Sequence, residues 1–396
     1  MPRISDRAGV LQESAIRKLD ITVRQQRDVD FFRINIGQPD VATPAPMLDA
    51  IASWRPDVIA YGPASGSLEC RAAGARYHSA WCPQLTAEHV AITTGGSEAL
   101  LFAFTAMCDP GDEILVPEPY YTNYNGFATV AGATVRSIRT RLEDGFALPS
   151  NAELDAAFTD KTRALVFSNP CNPTGAVYAR AEVERVIRWC IARGIWVVAD
   201  EVYRRIWFES PPTSALELPW AAEHVVVIDS MSKTWSACGL RLGMLISRNM
   251  ALMEKVERLG QARLGPQLLA QHAAMAALAL PESYYESVRA TWRARVAVMS
   301  DALAALPDVQ SHRPEGAFYT MARLPVDSSE AFARFLVTDF RSSGQSVVVA
   351  PGGGFYADPA SGQDEIRLAA VLKPAKLRRA VEILGEALAA YPGRTQ

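Results

Sequence analysis

Through the middle of the chain, short apolar runs alternate with amphipathic stretches of helical period. Residues 97–107 read as a helix, and the turn DPGDE then leads into a strand at 114–116. A further strand, 164–167, runs into the loop SNPCNPTG. A helix over 182–193 stops at Gly194, the strand 195–199 closes on Asp200, and the strand 225–229 ends at Ser230. These strands are apolar at consecutive rather than alternate positions, as strands buried on both faces are. Repetition of strand, helix and strand predicts an α/β fold with a mostly parallel sheet covered by helices. Such sheets place ligands at the C-terminal ends of their strands.

From Arg289 onward the pattern changes. A long helix over 289–306 precedes the strand-like GAFYTMARL, a helix over 329–340, a strand at 346–349 and a last helix over 376–390. The chain therefore divides into a large unit, 46–288, and a smaller α+β unit, 289–396. Residues 1–45 carry too little apolar surface to fold alone and are expected to pack on the small unit.

Composition narrows the class without changing this picture. Of 396 residues, 49% are hydrophobic and 21% charged, enough for a large core without disulfide or metal staples. A formal charge of -3 argues against nucleic acid or an anionic membrane as partner. The first twenty residues hold no apolar run long enough for a signal peptide. The longest apolar stretch, 270–280, is interrupted by Gln271 and His272 and is too short to span a bilayer. Six cysteines lack any CxxC spacing and five histidines form no HExxH pair, so reduced thiols in a cytoplasmic protein without a metal centre are expected.

Several local features carry chemistry. Ser230-Met-Ser232-Lys233-Thr234 follows a buried strand, where desolvation and nearby charge prepare a lysine for Schiff-base chemistry; a solvated loop lysine is the plain alternative. Arg241, in CGLRLG, joins Ser230 and Ser232 as a donor set for phosphate, or makes an ordinary ion pair. Asp200 ends an apolar strand in VVADEVY, where a carboxylate needs a cation; a protonated pyridine nitrogen is one, and a helix cap is the alternative. Tyr203 follows three residues later. Asn172 stands between two prolines that aim it, or that merely shape a turn. Gly95, Gly96 and Ser97 open a helix whose N-terminus suits an anion. Arg367, in EIRLAAV, is flanked by apolar residues and needs an anion, a substrate carboxylate or an internal partner.

Taken in order, NIGQPDVATP, YGPASG, TTGGSEAL, PEPYYTNY, SNPCNPTG, DEVY, SMSKT with Arg241, GAFY and IRLAA resemble the class I/II aminotransferases of fold type I, from about Asn35 to Ala390. The resemblance implies pyridoxal 5'-phosphate (PLP) as cofactor and Lys233 as its internal-aldimine lysine and proton carrier. Asp200 would meet the pyridine nitrogen, and Tyr203 and Asn172 the ring's phenolate oxygen. Gly95, Gly96, Ser97, Ser230, Ser232 and Arg241 would meet the phosphate. Tyr121 would stack on the ring, with Tyr120 its rival. Tyr61 would reach the phosphate of a neighbouring subunit, which implies a homodimer with shared sites. Gly37, Asn172 and Arg367 would hold the substrate. The reaction expected is transfer of an amino group between an amino acid and a 2-oxo acid, with β-elimination, cyclisation or oxidative deamination as alternatives on the same scaffold. Ser97 stands where relatives often carry a lysine for a distal carboxylate, so a neutral or aromatic substrate is expected unless Arg263 supplies that cation.

Overall fold

A computed structural model describes residues 2–11 and 19–395. Part of the expected N-terminal segment, 12–18, lies outside the described residues. The strands are, in chain order, β1 Asp30–Arg33, β2 Val90–Thr93, β3 Glu113–Glu118, β4 Thr134–Arg139, β5 Thr162–Ser168, β6 Trp196–Asp200 and β7 Val225–Ser230. They continue with β8 Gly243–Ile246, β9 Gln310–Ser311, β10 Tyr319–Arg323, β11 Gln345–Val348, β12 Ala350–Pro351 and β13 Glu365–Ala369.

Seven of them form one sheet in the order β2-β8-β7-β6-β5-β3-β4. Neighbours are parallel from β7 through to β4, and only β8 runs against the others. Side chains alternate between the two faces, and both faces are covered. Val225 and Val227 enter one core, Val226 and Ile228 the other; Leu165 and Phe167 oppose Ala164 and Val166 in the same way. The consecutive apolar runs follow from this double burial.

The helix Arg180–Ala192 shows how the covering layer forms. Val183, Val186, Ile187 and Cys190 fall on one face and are buried. Gly194, at φ +66, then turns the chain back into β6.

The second unit is a four-stranded antiparallel sheet, β12-β13-β10-β9, with β1 pairing in parallel to β11 beside it. Phe32 and Ile34 from the N-terminal segment share its core with Trp292, Phe318 and Leu384. The change of pattern at Arg289 is not a break in the chain. The helix there runs Glu282–Ala304, starting before the expected 289 because its first turns are amphipathic toward the large unit. Tyr285 packs on Trp235 at 6.0 Å between ring centres, while Val288 and Trp292 enter the other core. One helix thus belongs to both units, and a boundary at 288 falls inside it.

Because β2, β3, β5, β6 and β7 share one direction, their C-terminal ends come together at one edge of the sheet. Register sets the details: Asp200 lies opposite Ser168 on β5 and Ile228 on β7, and Ser230 opposite Gly243 on β8. Gly243 is required by contact rather than by conformation. A Cβ there would sit 2.4 Å from the carbonyl carbon of Gly95 and 2.6 Å from the nitrogen of Gly96. Backbone cannot yield as a side-chain tip can. Gly243→Ala is expected to destabilise the protein by about 1–3 kcal/mol, as overpacking does. A denaturant midpoint equal to the parent's would refute the tight crossing of β8 and the helix Gly95–Met107.

Candidate active site

A cavity of about 660 Å³ opens where those strand ends meet the small unit. Its walls bring together Gly37, Gly96, Ser97, Tyr121, Asn172, Asp200, Tyr203, Ser230, Ser232, Lys233, Arg241 and Arg367, drawn from seven separate sequence motifs. Two of the expected residues stand apart. Gly95 lies behind Arg241 rather than on the wall. Tyr61 is 87% exposed on a surface loop, outside the cavity of its own chain.

Lys233 sits in the short helix Met231–Thr234 that continues β7. Ser230 caps it, its Oγ accepting from the Ser232 N–H at 3.2 Å. The lysine Nζ donates to the carbonyl of Gly37 at 2.8 Å and lies 5.7 Å from the centre of the Tyr203 ring. Gly37 has no room for a side chain, because a Cβ would lie 1.6 Å from the Tyr319 hydroxyl.

Asp200 is 4% exposed at the end of β6. Tyr124 donates to its Oδ2 at 2.8 Å, and the Val202 N–H approaches Oδ1 at 3.5 Å. Burial nevertheless raises its pKa from the ordinary 3.8 to about 6, with the Tyr124 hydrogen bond and Lys233 pulling the other way. The Tyr203 hydroxyl meets that of Tyr319 at 2.8 Å, and burial pushes its pKa far above the usual phenol range.

Arg367 is 1% exposed on β13. Nη1 donates to Asn172 Oδ1 at 3.1 Å and Nη2 to the Asn35 carbonyl at 2.6 Å. The guanidinium lies between the rings of Tyr319 and Phe355, 4.5 and 4.9 Å from their centres. Its Nε is buried without a partner. Among the described residues no ion pair closes on it, and desolvation lowers its pKa. A buried cation held only by neutral groups is suited to receive an anion.

The far end of the cavity is a second anion site in outline. Gly96 and Ser97 begin the helix Gly95–Met107 with unbonded N–H groups, Ser230 Oγ donates to Ser232 Oγ at 2.9 Å, and Arg241 closes the ring. A Cβ on Gly95 would lie 2.5 Å from Arg241 Nη2, so glycine at φ +74 lets the guanidinium in. Arg241 itself is in the left-handed region at φ +54, with Nη1 donating to the Cys238 carbonyl at 3.0 Å.

Of the two rival tyrosines, Tyr121 lines the cavity and accepts from Asn123 Nδ2 at 2.8 Å; Tyr120 is buried in the core and donates to Asn125. Arg263 does not line the cavity. It forms an ion pair with Glu98 and donates to the Ala64 carbonyl at 2.8 Å, so its charge is already matched. Tyr124 and Tyr319 are the important residues that sequence reasoning missed. Their only signals were the run PYYTNY and the last residue of GAFY, both noted as motifs.

The donor set fits pyridoxal phosphate. An arginine, two hydroxyls and a helix N-terminus suit the phosphate, a buried carboxylate suits a protonated ring nitrogen, and a lysine faces the space between. Among the described residues no cluster of three or more His, Cys, Asp or Glu could hold a metal ion.

Comparison with known proteins agrees with this geometry. A sequence model of the family described as aminotransferase class I and II matches residues 29–384. The arginine–pyruvate transaminase of Pseudomonas aeruginosa is 31% identical over 377 residues, covering 92% of this chain and 93% of that protein. The structure of the aspartate aminotransferase of Thermus thermophilus with maleate superposes with a TM-score of 0.88 at 28% identity, covering 98% of this chain and 100% of that one. An alanine aminotransferase from Pyrococcus furiosus superposes with a TM-score of 0.88 at 28% identity, over 97% of this chain and 99% of its own.

Asp200 carries a measurable stability signature. Its folded pKa of about 6 lies above the ordinary value, so between the two the folded state binds more protons than the unfolded chain. The protonated form's contribution is complete below about pH 4 and is lost as pH rises through 6. Above that, burial of the ionised carboxylate costs roughly 3 kcal/mol, two units at about 1.4 each. In cofactor-free protein, Asp200→Asn should therefore be more stable than the parent by roughly that amount near pH 7.5. The gap should shrink as pH falls from about 6 toward 4. A difference that does not vary with pH would overturn the assignment of a buried, cation-seeking carboxylate.

Proposed function

Because the chain belongs to the class I and II aminotransferases, and is a pyridoxal-phosphate-dependent aminotransferase, we propose that it moves the α-amino group of a neutral or aromatic amino acid to a 2-oxo acid. The cofactor supplies an aldehyde carbon that condenses with amines and a protonated ring that takes up the electron pair left by a departing proton.

Lys233 holds the cofactor through Nζ and carries the proton that leaves the substrate α-carbon. Its position beside Gly37, where the substrate end of the cavity begins, suits both tasks. Asp200, braced by Tyr124, supplies the counter-charge for the ring nitrogen. Tyr203 and Asn172 would donate to the ring oxygen, and Tyr121 would stack on the ring. Gly96, Ser97, Ser230, Ser232 and Arg241 would hold the phosphate, with Gly95 making room for the Arg241 guanidinium. Arg367 grips the substrate carboxylate with its planar fork beside Gly37 and Asn172. The rings of Tyr319 and Phe355 hold that fork in place before substrate arrives.

One observation carries the choice of substrate: the cavity wall has three cations, Lys233, Arg241 and Arg367, and each has a task in this assignment. None is left for a distal carboxylate, and Arg263 is matched by Glu98. The one wall carboxylate, Asp200, is engaged as well, so a cationic side chain finds no partner either. Ile36, Leu100, Gln38 and Asn123, among the remaining wall residues, carry no charge. A charged group brought into such a site without a partner loses on the order of several kcal/mol. The names of the relatives include arginine, aspartate and alanine, so kinship alone does not choose among them.

We further infer a homodimer. Tyr61 stands with Val58 and Ile59 on a loop where all three are exposed, at 87%, 74% and 74%. An apolar loop tip of this kind is suited to burial against a second copy, where Tyr61 would reach the phosphate of the neighbouring site. Six free cysteines, five of them buried, suit the cytoplasm.

Single-turnover measurement of cofactor conversion by a panel of amino acids tests the substrate reading. Neutral and aromatic donors should react faster than aspartate by about a hundredfold or more, the scale of a few kcal/mol. Lys233→Ala should lower every rate by at least about 10²-fold. Aspartate reacting fastest would refute the neutral pocket, and near-normal turnover in Lys233→Ala would refute the role of the lysine.

Assembly has its own check. The protein should sediment as a dimer. Mixed dimers of Lys233→Ala with Tyr61→Trp should regain activity that neither parent has, because one site in each escapes both lesions. A monomer at assay concentration, or no recovery after subunit exchange, would rule out shared sites.

A further inference from the structure

Below the cavity, five polar side chains lie in a dry interior and touch neither cofactor nor substrate positions. His78, Asp229, Arg204, Glu201 and Ser214 are all 3% exposed or less, and none lines the cavity. They form one chain of contacts. Glu201 pairs with Arg204, and Ser214 accepts from Arg204 Nη2 at 2.8 Å. Arg204 Nη1 lies 3.2 Å from His78 Nδ1, and His78 Nε2 lies 3.3 Å from Asp229 Oδ2. Asp229 Oδ1 accepts from the Ser230 N–H at 2.7 Å. The Arg204 guanidinium rests 4.1 Å over the Trp81 ring, and Tyr77 meets His78 edge-on at 4.8 Å.

The directions of these bonds are forced. Burial lowers the His78 pKa to about 4, the Asp229 carboxylate opposing it, so the ring is neutral near pH 7 and carries one proton. Arg204 only donates, which makes Nδ1 the acceptor and puts the proton on Nε2. Asp229 Oδ2 is the acceptor facing Nε2 at 3.3 Å, a polar contact outside hydrogen-bond geometry. The chain of contacts runs from Arg204 through His78 to Asp229. It also joins two strand ends: Glu201 and Arg204 each follow a residue of the site on β6 and its loop, Asp200 and Tyr203, and Asp229 precedes Ser230 on β7.

We propose that His78 is a positioning residue for the phosphate end of the cavity, holding the Asp229 carboxylate so that Asp229 fixes the Ser230 backbone and, with it, the Ser230 and Ser232 hydroxyls. The proposal rests on the assignment of those two hydroxyls to the cofactor phosphate. A structural charge cluster would stabilise the fold without preference for phosphate, and that difference is measurable.

The experiment measures binding of pyridoxal phosphate, pyridoxal and inorganic phosphate to the cofactor-free full chain. The variants are His78→Phe, His78→Gln, Asp229→Asn and Ser230→Ala. His78→Phe keeps an aromatic ring but breaks both contacts. It should weaken pyridoxal phosphate and inorganic phosphate by about tenfold, the scale of one buried hydrogen bond, and leave pyridoxal unchanged. His78→Gln can accept from Arg204 and donate to Asp229, and should recover most of the loss. Should His78→Phe fail to fold, Asp229→Asn carries the test: its amide sets a donor against the His78 donor, and the same loss is expected. Phosphate affinity equal to the parent's in either variant overturns the proposal. An equal fall for pyridoxal, or no recovery in His78→Gln, reduces the relay to general packing and overturns it too. Ser230→Ala separates the two layers of inference. If it binds phosphate as the parent does, the hydroxyl assignment has failed; if it binds weakly while His78→Phe does not, only the relay has.

Discussion

Two buried charges of opposite sign, Asp200 and Arg367, are kept from reaching each other, and the organisation of the site follows from that separation. Asp200 ends β6 in the large sheet and is held by Tyr124; Arg367 lies on β13 in the small sheet, between Tyr319 and Phe355. An isolated buried charge is unfavourable, and a direct pair would be the simplest relief. The fold instead gives each charge neutral partners that orient it without neutralising it. Such an arrangement persists only because the surrounding cores are large, and it leaves a cavity with a fixed polarity from one end to the other. A ligand that is cationic near Asp200 and anionic near Arg367 completes what the protein leaves open. Stability forgone in the unliganded chain is returned when such a ligand binds.

Tyr319 is the joint between the two units. Its hydroxyl meets Tyr203 from the large unit at 2.8 Å, its ring carries the Arg367 guanidinium, and its tip occupies the space that a side chain at Gly37 would need. Three segments distant in sequence are therefore registered against one side chain. Because Gly37 also accepts from Lys233, the lysine's resting position is set by the same contact. Displacing Tyr319 would therefore disturb Tyr203 and Arg367 directly and Lys233 through Gly37.

Much of this was legible in the sequence because it is written in local patterns. Double burial makes a strand apolar at every position, and Gly194 marks a helix end by its backbone alone; the elements around them fall within a few residues of the expected bounds. What escaped was non-local. Four residues, Gly243–Ile246, look the same whether the strand runs with or against its neighbours, so the antiparallel β8 had no signature. The helix Glu282–Ala304 began earlier than 289 because its first turns answer to Trp235, a contact that no periodicity within the helix reveals. Tyr120, Tyr121 and Tyr124 sit in one run, and only the direction of the loop before the helix Asn123–Ala131 sends one to the core, one to the cavity and one to Asp200. Arg263 is, from the sequence, a candidate cation for the substrate; the partner that decides against this, Glu98, lies far away in sequence.

Substrate choice on this scaffold reduces to which charges are left over once the shared chemistry is served. On the proposed assignment, Lys233, Arg241 and Arg367 serve the reaction common to all amino acids, so they do not discriminate among them. Discrimination must come from groups outside that set. Here those groups are Ile36, Leu100, Gln38 and Asn123, together with Ser97 at the helix start. An apolar or amide wall separates neutral side chains from one another only weakly, because a methylene more or less is worth about 1–3 kcal/mol. Against a charged side chain it acts more strongly, since nothing in the wall replaces the lost hydration. On the proposed reading, the same wall admits a broad set of neutral donors and excludes both acidic and basic ones.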